Sequence, residues 1–104
     1  MNDYIIIDVP DMNDSVSRIA IDQLVYNFRF TYDDTSDFWK FGVYDANMIP
    51  IVIGIKIVPN TMLNLLYTTY DLPEGVFAAL SRKEHIGRDD FKDGKASFVF
   101  FPVA

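Results

Sequence analysis

The chain has 104 residues, half of them apolar, with no cysteine and with 15 acidic against nine basic side chains for a net charge of −6. That length fits one domain, 1–104, and that apolar content rules out a disordered tail. Without cysteine there are no disulfides, thiol nucleophiles or thiolate zinc sites, and the negative charge disfavours generic nucleic-acid binding. No apolar run nears the ~20 residues of a membrane span. The start "MNDYIIIDVPD" lacks the positive charge and small-residue cleavage site of a signal peptide, so synthesis in a cytoplasm is expected.

Period-2 alternation dominates the chain in order. "YIIID" at 4–8 reads as a strand, and "DMNDS" at 11–15 as a polar turn. "SRIAI" at 17–21 places Ser17, Ile19 and Ile21 on one face, and Asp22 and Gln23 form a tight turn. In "LVYNFRFTY", Leu24, Tyr26, Phe28, Phe30 and Tyr32 face one way, and Val25, Asn27, Arg29 and Thr31 the other, as in a half-buried antiparallel strand. After the loop "DDTSD" at 33–37, Trp39, Phe41 and Val43 share a face. "DANM" at 45–48 supplies the next hairpin turn, since Asp and Asn tolerate left-handed backbone.

The stretch "MIPIVIGIKIVPN" then sets Ile49, Ile51, Ile53, Ile55 and Ile57 on alternate residues, which predicts one isoleucine face against a core. Pro50 belongs at a strand start or an edge. Gly54 within a strand implies a sharp bend or a close backbone approach. After Pro59 the spacing of "NTMLNLLYTTY" predicts a short helix capped by Asn60 or Thr61 and ended by Pro73 and Gly75. "VFAALSR" at 76–82 is a strand, "KEHIGRDDFKDGKA" a long polar loop, and "SFVFFPV" at 97–103 a last strand with Pro102 near an edge. The fold class is therefore mainly β: a small OB-fold-like β-barrel, with a short helix between the third and fourth barrel strands and extra N-terminal strand material.

Candidate chemistry is sparse. His85 is the single histidine, so no two-histidine metal site exists, and a dyad with Ser81 or Ser97 is not required by any spacing. Asp33, Asp34 and Asp37, like Asp89, Asp90 and Asp93, resemble cation-ligand clusters. The first set lacks the EF-hand order and the second is interleaved with Arg88, Lys92 and Lys95, so soluble or salt-bridged loops are the reading for both. Tyr26, Phe28, Phe30, Trp39 and Phe41 would suit a base-stacking platform, yet their alternation is also that of a core. Glu74 and Glu84, the only glutamates, show no paired geometry. No catalytic, cofactor-binding or metal residue is assigned, and no cofactor.

From about residue 15 to 103, the ordered series "LVYNFRFTYDDTSDFWKFGVYDANMIPIVIGIKIV", "NTMLNLLYTTYDLPEG" and "GRDDFKDGKASFVFF" resembles the baseplate plug-like OB-fold proteins of contractile-tailed bacteriophages. The resemblance lies in a tryptophan-bearing strand, an Asp-rich turn, a P-I-x-x-G strand, a Leu-Leu helix with a Leu-Pro-x-Gly turn, and a Gly-Arg-Asp-Asp loop before the final strand. It implies a non-enzymatic virion protein of the tail baseplate that docks on hub proteins at the tail-tube axis, contacts other tail proteins, and self-associates in a ring or trimer if at all. The docking contacts expected are the "KEHIGRDD" loop, the hairpin tips and an exposed strand edge. The reading from another class is an OB-type single-stranded nucleic-acid-binding protein.

Overall fold

The computed structural model describes residues 4–63 and 72–102. Among these residues seven strands follow in chain order: β1 (Ile5–Ile7), β2 (Asp14–Ile21), β3 (Leu24–Asp33), β4 (Phe38–Asp45), β5 (Pro50–Lys56), β6 (Gly75–Ser81) and β7 (Ala96–Pro102). β2-β3-β4-β5 form a four-stranded antiparallel meander, and β1-β7-β6 a three-stranded antiparallel sheet. The alternation read from β3 and β4 holds. Tyr26, Phe28, Phe30, Trp39, Phe41 and Val43 are buried in one core with Phe77, Phe98 and Phe100 of the other sheet. The rings interlock edge to face: Phe41 and Phe98 lie 4.9 Å apart at 66°, and Phe30 and Phe98 5.1 Å apart at 79°. Such pairs contribute roughly 0.5–1.5 kcal/mol each beyond area burial. Leu24, expected inward, is exposed, because it adjoins the turn at the sheet's end.

The strands do not close into the expected barrel: they form two sheets that face each other with open seams. Between β5 and β6, among the described residues, a single parallel bridge (Pro59↔Ala79) and two amide bonds stand in for a ladder, from Asn60 to the Ala79 carbonyl (2.7 Å) and from Leu63 to the Phe77 carbonyl (2.8 Å). Pro59 has no N–H with which to extend the pairing. At the other seam β1 is only three residues long and, among the described residues, pairs with β7 alone.

No helix occurs among the described residues. The helix expected after Pro59 falls mostly on 64–71, outside them. Where it would start, Asn60 takes a φ of 59°. Its side chain donates to the Ser81 carbonyl (2.7 Å) and accepts from the Ser81 amide (3.2 Å), so it ties the chain to β6 in place of capping a helix.

The single isoleucine face is also corrected. Ile55 and Ile57 are buried and Ile51 packs at the rim of the core, but Ile49 and Ile53 are 58% and 61% exposed. The ladder explains the split. Phe41 pairs with Ile55, but Val43 pairs with Val52 and Tyr44 with Pro50, so β5 carries one extra residue at each step. Each insertion turns the alternation over. Gly54 supplies the left-handed backbone for the first, at φ 73°. Gly42 opposite leaves the room: a Cβ there would lie 3.2 Å from the Val52 carbonyl oxygen.

Candidate functional site

The loop 82–95, which joins β6 to β7, folds across the end of the four-stranded sheet, and Trp39 of β4 is its anchor. The indole is 1% exposed and donates from Nε1 to the Gly87 carbonyl at 3.1 Å. A fully buried indole N–H needs such a partner. Phe91 meets the ring edge-on at 5.7 Å, and the Arg88 guanidinium lies over it at 5.5 Å. Arg88 then reaches the segment ahead of β2, donating to the side chain of Asn13 and, from Nη1, to Asp11 at 3.0 Å.

Asp90 organises the loop from inside. It is 5% exposed and accepts from Lys83 Nζ (2.9 and 2.8 Å) and from the Gly87 amide (2.6 Å). Its own carbonyl accepts from the amides of Lys95 (2.8 Å) and Ala96 (3.1 Å). Burial pushes its carboxyl pKa upward, but the Lys83 bonds, the Gly87 amide and the charges of Lys83 and Lys95 outweigh that, so the net shift is downward. A third tie joins His85 Nε2 to Asp37 Oδ2 at 3.1 Å, while the Tyr32 hydroxyl donates to the other Asp37 oxygen. That hydroxyl bond is the main cause of a lowered Asp37 pKa and of a Tyr32 pKa raised to about 12.

A family model described as cyanophage baseplate Pam3 plug gp18 matches residues 3–102. The chain belongs to this family of phage baseplate plug proteins. None of the curated proteins matches it. The resemblance read from the sequence thus holds, and in this plug-family chain the Gly-Arg-Asp-Asp stretch has a physical task. Gly87, Arg88 and Asp90 are the groups that fasten the loop to Trp39 and to the segment before β2, with Ile86 buried beside them.

The acidic clusters flagged by the sequence are dispersed in the same way. Asp33 accepts from the amides of Thr35 (3.0 Å) and Ser36 (3.1 Å), shaping the β3–β4 turn. Asp89 faces Lys92 (3.6 Å) and Arg88 (3.7 Å), while Asp34 and Asp93 are exposed. Among the described residues no three His, Cys, Asp or Glu side chains converge to hold a metal ion. Ser81 Oγ donates to the Lys95 carbonyl (2.8 Å), a structural bond within the loop's base. Glu74 and Glu84 are both exposed. The five aromatics considered for base stacking are all buried, so none offers a free face.

Sequence reasoning missed two features. One is Asp90 as the buried centre of the loop, which its neighbours Lys83 and Gly87 could have suggested. The other is the charge of the outer face of β2–β5. There alternation places Arg18, Arg29, Lys40 and Lys56, every basic residue of the first 80, on the side opposite the phenylalanine core.

Proposed function

We propose that the chain is a structural, non-enzymatic component of the virion tail baseplate, made in the host cytoplasm, which docks on hub proteins at the tail-tube axis. The observation that carries this reading is the family match over residues 3–102. The side-chain chemistry agrees with it. The histidine and several of the acids are engaged in fastening turns and the loop 82–95, as Asp33, Asp90 and the His85–Asp37 pair illustrate. Exposed Met12, Val16, Leu24, Met48, Ile49 and Ile53 supply apolar surface of the kind that assembly covers.

Co-expression with the hub proteins of the same virus, followed by size-exclusion chromatography with light scattering, tests the proposal. Co-elution at a fixed ratio is the expected result. Separate elution of two folded proteins would count against hub docking, and the mass of the chain alone reads whether copies form a ring or trimer.

A further inference from the structure

The outer face of β2–β5 is cationic on a chain that is otherwise acidic. Cross-strand partners bring Lys40 of β4 directly opposite Lys56 of β5. Both ammonium groups sit over one ring, that of Phe38, at 5.6 and 4.8 Å from its centroid. Among the described residues neither lysine has an ion-pair partner, and nor does Arg18. Like charges directly opposite on a sheet repel. The acids that alternation places on this face are already engaged: Asp14 is bound bidentately by Arg29 (2.9 and 2.6 Å), and Asp33 holds its turn. Beside the cations lie apolar side chains, Val16 on β2 and Ile53, whose Cγ2 lies over Gly42 on the bulged β5.

We propose that this face, centred on Lys40, Lys56 and Ile53, binds an acidic protein surface that places carboxylates over the lysine pair and apolar side chains against Val16 and Ile53. This rests on the assembly role proposed above and assigns the docking face within it. A carboxylate would turn the repulsion between the two lysines into attraction on both sides, which a neutral or basic partner cannot do. A nucleic acid suits the face less well, because Phe38, with both ammonium groups over its ring, is not free to stack on a base.

The test measures binding of the full chain to recombinant hub protein of the same virus at 50 and 300 mM NaCl. Wild type is compared with Lys40→Glu/Lys56→Glu, with Lys40→Gln/Lys56→Gln and with Lys92→Glu as a control on the loop 82–95. Circular dichroism melts confirm that each variant is folded, and the glutamine pair serves if charge reversal unfolds the sheet. The expected result is binding weakened at least tenfold by the glutamate pair and severalfold by the glutamine pair, unchanged within twofold by Lys92→Glu, and weaker at high salt. A wild-type complex that both double variants form equally well overturns the face and leaves hub docking standing. Absence of any wild-type complex overturns hub docking and takes this assignment with it. Lysine-dependent binding of a dT20 oligonucleotide as tight as that of the hub, or lysine-dependent dimerisation, also overturns it, in favour of a nucleic acid or a second copy.

Discussion

Gln23 holds a backbone conformation that its side chain disfavours. Asp22 and Gln23 have φ of 54° and 69° in the two-residue turn between Ile21 and Leu24, a geometry that matches the twist of the hairpin and for which glycine suits the second position. A non-glycine residue there carries about 1–2 kcal/mol of left-handed strain, against which glycine's extra unfolded-state freedom costs roughly 0.5–1 kcal/mol. Gln23→Gly is therefore expected to stabilise by roughly 0.5–1 kcal/mol and to raise Tm by a few degrees in a thermal melt; a lower Tm would refute the strain. Trp39→Phe acts in the opposite direction. It leaves the Gly87 carbonyl without its indole donor and removes part of the surface beneath Arg88. The loss is about 2–4 kcal/mol, combining a partnerless polar group with a cavity, and a fall in Tm on the order of 10–20 °C should follow. A fall under about 3 °C would mean that the indole bond contributes little.

The β5 strand shows where periodicity stops informing. β3 and β4 were legible because ten and eight residues alternate without interruption and the aromatic positions admit one buried face. In β5 the isoleucines keep period 2 through Ile57, yet the ladder inserts a residue twice and sends Ile53 outward. The signal in the sequence was Gly54, whose presence in a strand pointed to a bend but not to which isoleucines it would expose. The turn at 45–48 was legible in place but not in detail: Met48, not Asp45 or Asn47, takes positive φ, while the Asp45 carboxylate accepts the amides of Asn47 and Ile49. The docking of the loop 82–95 was illegible because its ties are distant in sequence: Trp39 meets Gly87 48 positions away and Arg88 meets Asp11 77 positions away. Gly54 gives the element-scale prediction. No atom lies within 4 Å of a Cβ built there, so any cost of substitution is that of the backbone at φ 73°. Gly54→Ala should destabilise by about 1–2 kcal/mol and Gly54→Asn by less, since asparagine tolerates left-handed geometry. Urea titrations measure the order, and an alanine variant as stable as wild type would show that β5 does not need the left-handed residue.

At the scale of the whole molecule, the loop 82–95 clamps one sheet to the other, because it springs from β6 and β7 and docks on Trp39 of β4. Asp90 holds that clamp as a carboxylate, and its pKa is lower in the folded chain than the ordinary 3.8 it regains on unfolding. The unfolded chain thus takes up the proton first as pH falls. The stability Asp90 contributes is fully present above pH 3.8 and is lost as pH drops below that value through the folded-state pKa. Asp37 is shifted the same way and adds to the acid sensitivity in direction only, being at the surface. Asp90→Asn removes the charge that Lys83 pairs with but keeps an oxygen for the Gly87 amide. Lys83 is half exposed, so the pair is partly screened, and a loss of about 2 kcal/mol at pH 7 is expected. Denaturant unfolding of wild type and variant at pH 7, 5, 3 and 2 reads the linkage. The gap should stay constant from pH 7 to 5 and close below pH 4, as protonation gives the wild-type carboxyl the neutrality the amide already has. A gap as wide at pH 2 as at pH 7 would mean that the shape of Asp90, and not its charge, holds the two sheets together at this end.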